Sequence, residues 1–150
     1  MPIRAVVYTS EAAVDIAASR LGQTGGRLCE IVDDAARFNR DAGVTGVLLF
    51  DGGRFLQYME GPDDGLQVAY SRVLGAGSHS GLIELQRGRV GQRRLPFWPM
   101  RWLPVEPTEL RRVASADWTG FVQREGGGAF TSATGMELLR ALVQPHAAAL

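Results

Sequence analysis

The sequence predicts an α+β domain of βαββαββ order: a five-stranded mixed sheet with two helices on one face, followed by a C-terminal helical appendage. Three observations lead there. Short β-rich runs bounded by turn formers alternate with two segments whose apolar residues recur at helical spacing. The second and third strands are separated only by "DGG", a tight Asp-Gly turn. Strand-like patterning then stops after Pro104. The order β-α-β-β-α-β with one extra strand is the split βαβ arrangement of ferredoxin-like domains. A ligand in such a domain has room between the two helices, over the central strands.

Taken in order, "IRAVVYTS" ends in turn formers and marks a first strand over residues 2–9, with "LGQTGG" (21–26) as a loop. In "RLCEIVDDAARFNRDAG", Leu28, Ile31, Val32, Ala35 and Phe38 share a helical face, and Gly43 closes the helix. "VTGVLLF" and "RFLQYMEG" are the strands on either side of the turn. "GPDDGLQVAYSRVLGAG" is a second helix, capped by Asp63 or Asp64, with Leu66, Ala69, Tyr70 and Val73 as its apolar stripe. "GLIELQRGRV" and "FWPMRWLPV" supply the last strands. In the latter, alternation puts Trp98, Met100 and Trp102 on one face, and Pro99, lacking an N–H, argues for the sheet edge. The domain is expected over residues 1–103, with an appendage over 104–150. That appendage reads as a short helix in "PTELRRVASADWTGFVQ", a flexible connector "REGGGAFTSATG" and a helix "GMELLRALVQP" stopped by Pro145.

Composition excludes several functions. The chain has 150 residues, 45% apolar and 21% charged, enough for one domain with a real core. Its 16 basic and 16 acidic side chains cancel, which argues against direct nucleic-acid binding. No apolar run is long enough to span a bilayer, and the first is too short for a secretory signal, so a cytoplasmic protein without a membrane role is expected. Cys29 is the only cysteine, which rules out an intrachain disulfide. His79 and His146 are far apart, Cys29 has no matching ligand spacing, and no metal site is expected. Ser10 and Ser71 have no nucleophile elbow or paired histidine. Arg87, Arg89, Arg93 and Arg94 come without lysine or interleaved aromatics and read as a solvated hairpin edge.

What remains is a set of polar residues at apolar positions. Gln57 shares a strand face with Phe55 and Met59, where a carboxamide has two donors and an acceptor to satisfy. Asn39 follows Leu28 by about three helical turns and so returns to the apolar face. Tyr8 shares a side with Val6, and in a ferredoxin-like sheet the first and third strands are neighbours, which lets Tyr8 meet Gln57. Spacing alone leaves two readings open: three unrelated, separately satisfied residues, or one polar pocket.

Together "VVYTSEAA", "RFNRDAGVTGVLLFDGGRFLQYMEGP" and "RRLPFWPM" resemble the BLUF domain, a blue-light sensor that uses a flavin, over about residues 2–103. The resemblance implies that Tyr8 is the photoactive tyrosine and that Gln57 lies between it and the flavin ring. It further implies that Asn39 bonds the pyrimidine edge of the ring, that His79 is a further flavin-site residue, and that Trp98 and Met100 are the switching pair. The implied cofactor is FAD, with FMN or riboflavin sharing the same ring. The implied function is a non-enzymatic photoreceptor in which Tyr8 loses and regains an electron and a proton, Gln57 rearranges, and the absorption moves to the red. Too few residues follow Leu103 for a fused output enzyme, so a separate protein partner and a homo-oligomer are expected. The alternatives are a light-silent interaction module of the same fold and an acylphosphatase-like enzyme.

Overall fold

Residues 3–13, 24–77, 79–118 and 134–148 are described in the computed structural model of the chain. Five strands, β1 (Ile3–Ala12), β2 (Thr45–Phe50), β3 (Arg54–Pro62), β4 (His79–Gly91) and β5 (Trp102–Pro104), form one sheet in the order β4-β1-β3-β2-β5. β1 runs antiparallel to β3 and β4, and β2 antiparallel to β3, while β2 and β5 are parallel. The mixed, ferredoxin-like sheet is the one expected. The β2–β3 turn is held by Asp51, whose Oδ1 accepts from the backbone N–H of Gly53 (3.0 Å) and Arg54 (2.8 Å).

Helices α1 (Thr24–Ala42) and α2 (Asp63–Leu74) cover one face. There Val6, Tyr8, Leu48, Phe55 and Met59 pack with Leu28 and Val32 of α1 and Leu66, Ala69 and Tyr70 of α2. The opposite face is covered as well. Ala5, Val7, Val47, Leu49, Leu56 and Tyr58 pack with Leu110 and Val113 of α3 (Pro107–Ala114) and Met136, Leu139 and Val143 of α4 (Gly135–Ala148). Every residue of β2 is buried for this reason, and its unbroken apolar run is the mark of a strand with no wet side.

Several boundaries differ from the sequence reading. β1 continues to Ala12 because it has a partner on each side, which leaves Tyr8 in mid-strand. α1 starts at Thr24, so two glycines lie in its first turn; their propensity cost is outweighed by cooperative extension of a 19-residue helix. Neither Asp63 nor Asp64 caps α2. β3 runs directly into the helix through Pro62 (φ −64, ψ 151), and both aspartates lie in the first turn, where they face the positive end of the helix dipole.

β5 is three residues long where nine were expected. Pro96 and Pro99 have no N–H to offer a ladder, and Trp98 N–H turns back to Pro96 O (2.7 Å). The segment before β5 is tied to β2 only at separate points, by Gly46 N–H to Trp98 O and Leu48 N–H to Arg101 O, both 2.8 Å. Pro145 lies inside α4 rather than ending it. Near the C-terminus of a helix, the proline forfeits one backbone bond without closing off the final turn. The expected connector falls outside the described residues except for Thr134 and Gly135.

Candidate functional site

Strand register builds the site. Tyr8 pairs directly with Gln57 across β1 and β3, and Leu48 of β2 pairs with Gln57 on its other side. Period-two alternation turns Tyr8 and Gln57 to the α1–α2 face. Asn39 reaches the same space from α1, at the helical spacing that also brings in Val32 and Ala35. These residues line a cavity of about 420 Å³ between the helices and the sheet, together with His79, Met100, Phe55, Met59 and Arg72.

The polar groups are bonded in a chain. The Tyr8 hydroxyl donates to Gln57 Oε1, and Gln57 Nε2 donates to Met100 Sδ at 3.5 Å. Asn39 Nδ2 donates to Pro99 O at 2.8 Å. His79 Nε2 lies 2.8 Å from Val73 O, and since a carbonyl only accepts, that nitrogen carries the proton. In the neutral ring Nδ1 is then an acceptor, and it is buried with no partner among the described residues. Burial, followed by the nearby Tyr70 phenol, pushes the Tyr8 hydroxyl well above 10, so Tyr8 stays protonated at any ordinary pH. Tyr70, whose ring centre is 5.9 Å from that of Tyr8, is raised to about 12 by burial and by its hydrogen bond to Glu84.

Tyr8, Gln57, Asn39, His79 and Met100 therefore converge, and Trp98 does not. It is buried on the opposite face among Leu95, Leu103 and Leu110, with the Arg101 guanidinium 4.7 Å above its ring. The expectation that Trp98, Met100 and Trp102 share a face fails because the chain between Leu95 and Arg101 is not a strand, and period-two alternation does not apply to it.

Two side chains escaped the sequence reading. Arg72 of α2 lies 4.3 Å over the Phe38 ring and joins the two helices beside the cavity. Glu60 is fully buried on the far face of β3, where it accepts from Tyr58 OH (2.8 Å), Arg94 N–H (2.8 Å) and Leu95 N–H (3.0 Å). A carboxylate in a buried strand gives the same signal as Gln57. The arginine cluster is correspondingly corrected: Arg87 and Arg89 are exposed on β4, but Arg93 donates to Thr45 Oγ1, Glu60 O and Gly43 O. Backbone carbonyls at the ends of β2 and β3 need donors there, and a guanidinium fork supplies several at once.

Burial raises the Glu60 carboxyl above its ordinary 4.5, against the lowering effect of the Arg94 and Leu95 N–H groups and the Tyr58 hydroxyl. A raised folded value means that the folded state holds a proton the unfolded chain gives up. The contribution of Glu60 is then complete below 4.5 and is lost as pH rises through the folded value. Urea titrations at stepped pH are expected to show wild type losing stability relative to Glu60→Gln as pH rises above this point. A flat or opposite trend contradicts the assignment.

Among the described residues no group of three or more histidine, cysteine or acidic side chains is arranged to hold a metal ion. Among them, too, no helix is long and apolar enough to cross a membrane.

Comparison with known proteins bears on the same region. A family model described as BLUF, sensors of blue-light using FAD, matches residues 3–101. The blue light- and temperature-regulated antirepressor BluF of Escherichia coli K12 is 38% identical over 56 residues, which are 37% of this chain and 14% of that protein. Among solved structures, Klebsiella pneumoniae BlrP1 with FMN and cyclic diGMP superimposes with a TM-score of 0.58 at 29% identity, covering 68% of this chain and 26% of that one. BlrB, a BLUF protein in its dark state, gives a TM-score of 0.59 at 25% identity, covering 75% of this chain and 79% of that one. The chain thus spans only a small part of BluF and about a quarter of BlrP1.

Proposed function

The chain belongs to the BLUF family of flavin-based blue-light sensors, and from that premise we propose that Tyr8 and Gln57 convert light absorbed in the α1–α2 cavity into a change in the segment carrying Met100. The observation that carries this reading is the bonded chain Tyr8–Gln57–Met100, which opens onto a cavity.

The residues present suit a flavin. A volume of about 420 Å³ is in the range of small-molecule sites, roughly 300–1,000 Å³. Ile31, Val32, Leu48 and Met59 offer apolar walls to a flat ring, and Nδ1 of His79, which has no partner among the described residues, calls for a donor. Asn39, Gln57, His79 and Arg72 are the residues that would hold it. FAD is the form we propose, from the description of the family.

Bound flavin supplies absorption of blue light and a short-lived one-electron oxidant. Tyr8, neutral in the dark, releases its phenolic proton as it gives up an electron, and Gln57 Oε1, which accepts the Tyr8 hydrogen bond, takes that proton. Both return to Tyr8 within the cycle, and no covalent bond is made. Gln57 is left changed, because a carboxamide has an acceptor on one arm and two donors on the other. Turned over, it presents Nε2 to the Tyr8 oxygen and withdraws its donor from Met100 Sδ. Each altered hydrogen bond is worth on the order of 1 kcal/mol net, enough to shift a two-state element that relaxes thermally.

Output passes from the Met100 segment through β5 to α3 and α4, and then to a separate protein partner or a second copy of the chain. The chain performs no catalysis in this scheme. The test is a light-minus-dark absorption spectrum of the purified, flavin-loaded chain, which is expected to show a reversible shift to longer wavelength. Loaded protein with no shift refutes the reading.

A further inference from the structure

Two side-chain amides hold consecutive residues of one segment. Gln57 of β3 reaches Met100 Sδ, and Asn39 of α1 reaches Pro99 O at 2.8 Å. The first tie belongs to the light cycle; the second is independent of it. Asn39 is only 3% exposed and lines the cavity, and its side chain makes no other hydrogen bond among the described residues, so its Oδ1 is left for whatever fills that space.

We propose, resting on the flavin reading above, that Asn39 makes the segment from Leu95 to Trp102 report cavity occupancy in darkness. The chain then distinguishes flavin-loaded from flavin-free protein without light. A ligand N–H bonded to Oδ1 orders the Asn39 amide and polarises it, which strengthens the N–H bond that the same amide gives Pro99 O. The flavin ring has an imide N–H of the required kind. The segment it strengthens is sparsely tied: it forms no ladder before β5 and has separate bonds to Glu60, Gly46 and Leu48. Strengthening one bond therefore counts. Its downstream neighbours are also the output layer, since Trp98, Leu103, Leu110 and Val113 belong to one far-face cluster. By reciprocity, anything that fixes this segment from the far face tightens flavin binding by the same factor.

The experiment uses the full chain in darkness. Hydrogen exchange is followed in peptides covering residues 95–105, with stripped protein compared with protein saturated by FAD, riboflavin or N3-methylriboflavin, the last lacking the imide donor. Saturation is verified by absorbance. FAD and riboflavin are expected to slow exchange in these peptides beyond the general slowing, by up to about fivefold, the ceiling that one net hydrogen bond sets. N3-methylriboflavin is expected to give only the general slowing across β1 and β3 that follows any tight ligand. Asn39→Asp, which keeps an acceptor but cannot donate to Pro99 O, is expected to behave with FAD as wild type does with the methylated ring. If that variant takes up no flavin, the methylated ligand decides alone. Equal local slowing with riboflavin and N3-methylriboflavin overturns the role of Asn39, as does exchange in wild type that ignores loading. A chain that takes up no flavin at any concentration overturns both this proposal and the reading beneath it.

Discussion

Tyr8→Phe is expected to abolish the reversible red shift while flavin stays bound. Phenylalanine keeps the ring that packs beside Tyr70 and His79 and removes only the hydroxyl. That hydroxyl is the sole donor to Gln57 Oε1 among the described residues, and it carries the proton the scheme moves. Without it, an aromatic with no acidic proton stands where proton-coupled oxidation is required, and Gln57 has no reason to change partners. The variant is expected to fold, with a loss of about 1–3 kcal/mol from leaving a buried acceptor unpaired. A light-minus-dark spectrum beside a denaturation curve separates the two effects. A shift like that of wild type in Tyr8→Phe removes Tyr8 from the photochemistry.

Gly46→Ala is expected to be the most damaging single methyl group in the sheet. A Cβ at this position lies 2.2 Å from Tyr58 O and 3.1 Å from Met59 Cα, both backbone atoms of β3 with no rotamer to yield. Relief requires β2 and β3 to separate at the Gly46–Met59 pair, close to Gln57. The same residue donates its N–H to Trp98 O, so displacement also loosens the segment carrying Met100. Overpacking of this kind costs about 1–3 kcal/mol, and with the ladder bonds disturbed the upper end is expected. Urea denaturation measures the loss. A change below about 0.5 kcal/mol, the range of an ordinary surface substitution, contradicts the close approach.

Legibility in the sequence followed the rigidity of each local rule. Tyr8 and Gln57 could be paired because a strand's alternation is strict and the topology set their strands side by side. Asn39 was visible because helical spacing survives over three turns. Trp98 was misplaced because the same alternation was carried across Pro96 and Pro99, where no strand exists. Glu60 was overlooked although it stands in the same buried run as Gln57; only three donors from Tyr58, Arg94 and Leu95, brought together by tertiary structure, show why it is there. The second layer of helices could have been suspected from "VLLF", since a strand with one wet face does not carry four apolar residues in succession. Arg72 gave no local sign, because its place beside the cavity depends on how α2 meets Phe38 across from it.

The sheet sorts its apolar residues into two clusters with no shared member, one around the cavity and one beneath α3 and α4. Such a division lets the two halves of the molecule drift under separate selection. A substitution at Leu139 or Val143 meets far-face neighbours directly and reaches the surroundings of Tyr8 only by way of the segment that carries Trp98 and Met100. The far face can therefore vary without any direct change to the packing around the cavity, and the partition that permits this is one backbone thick.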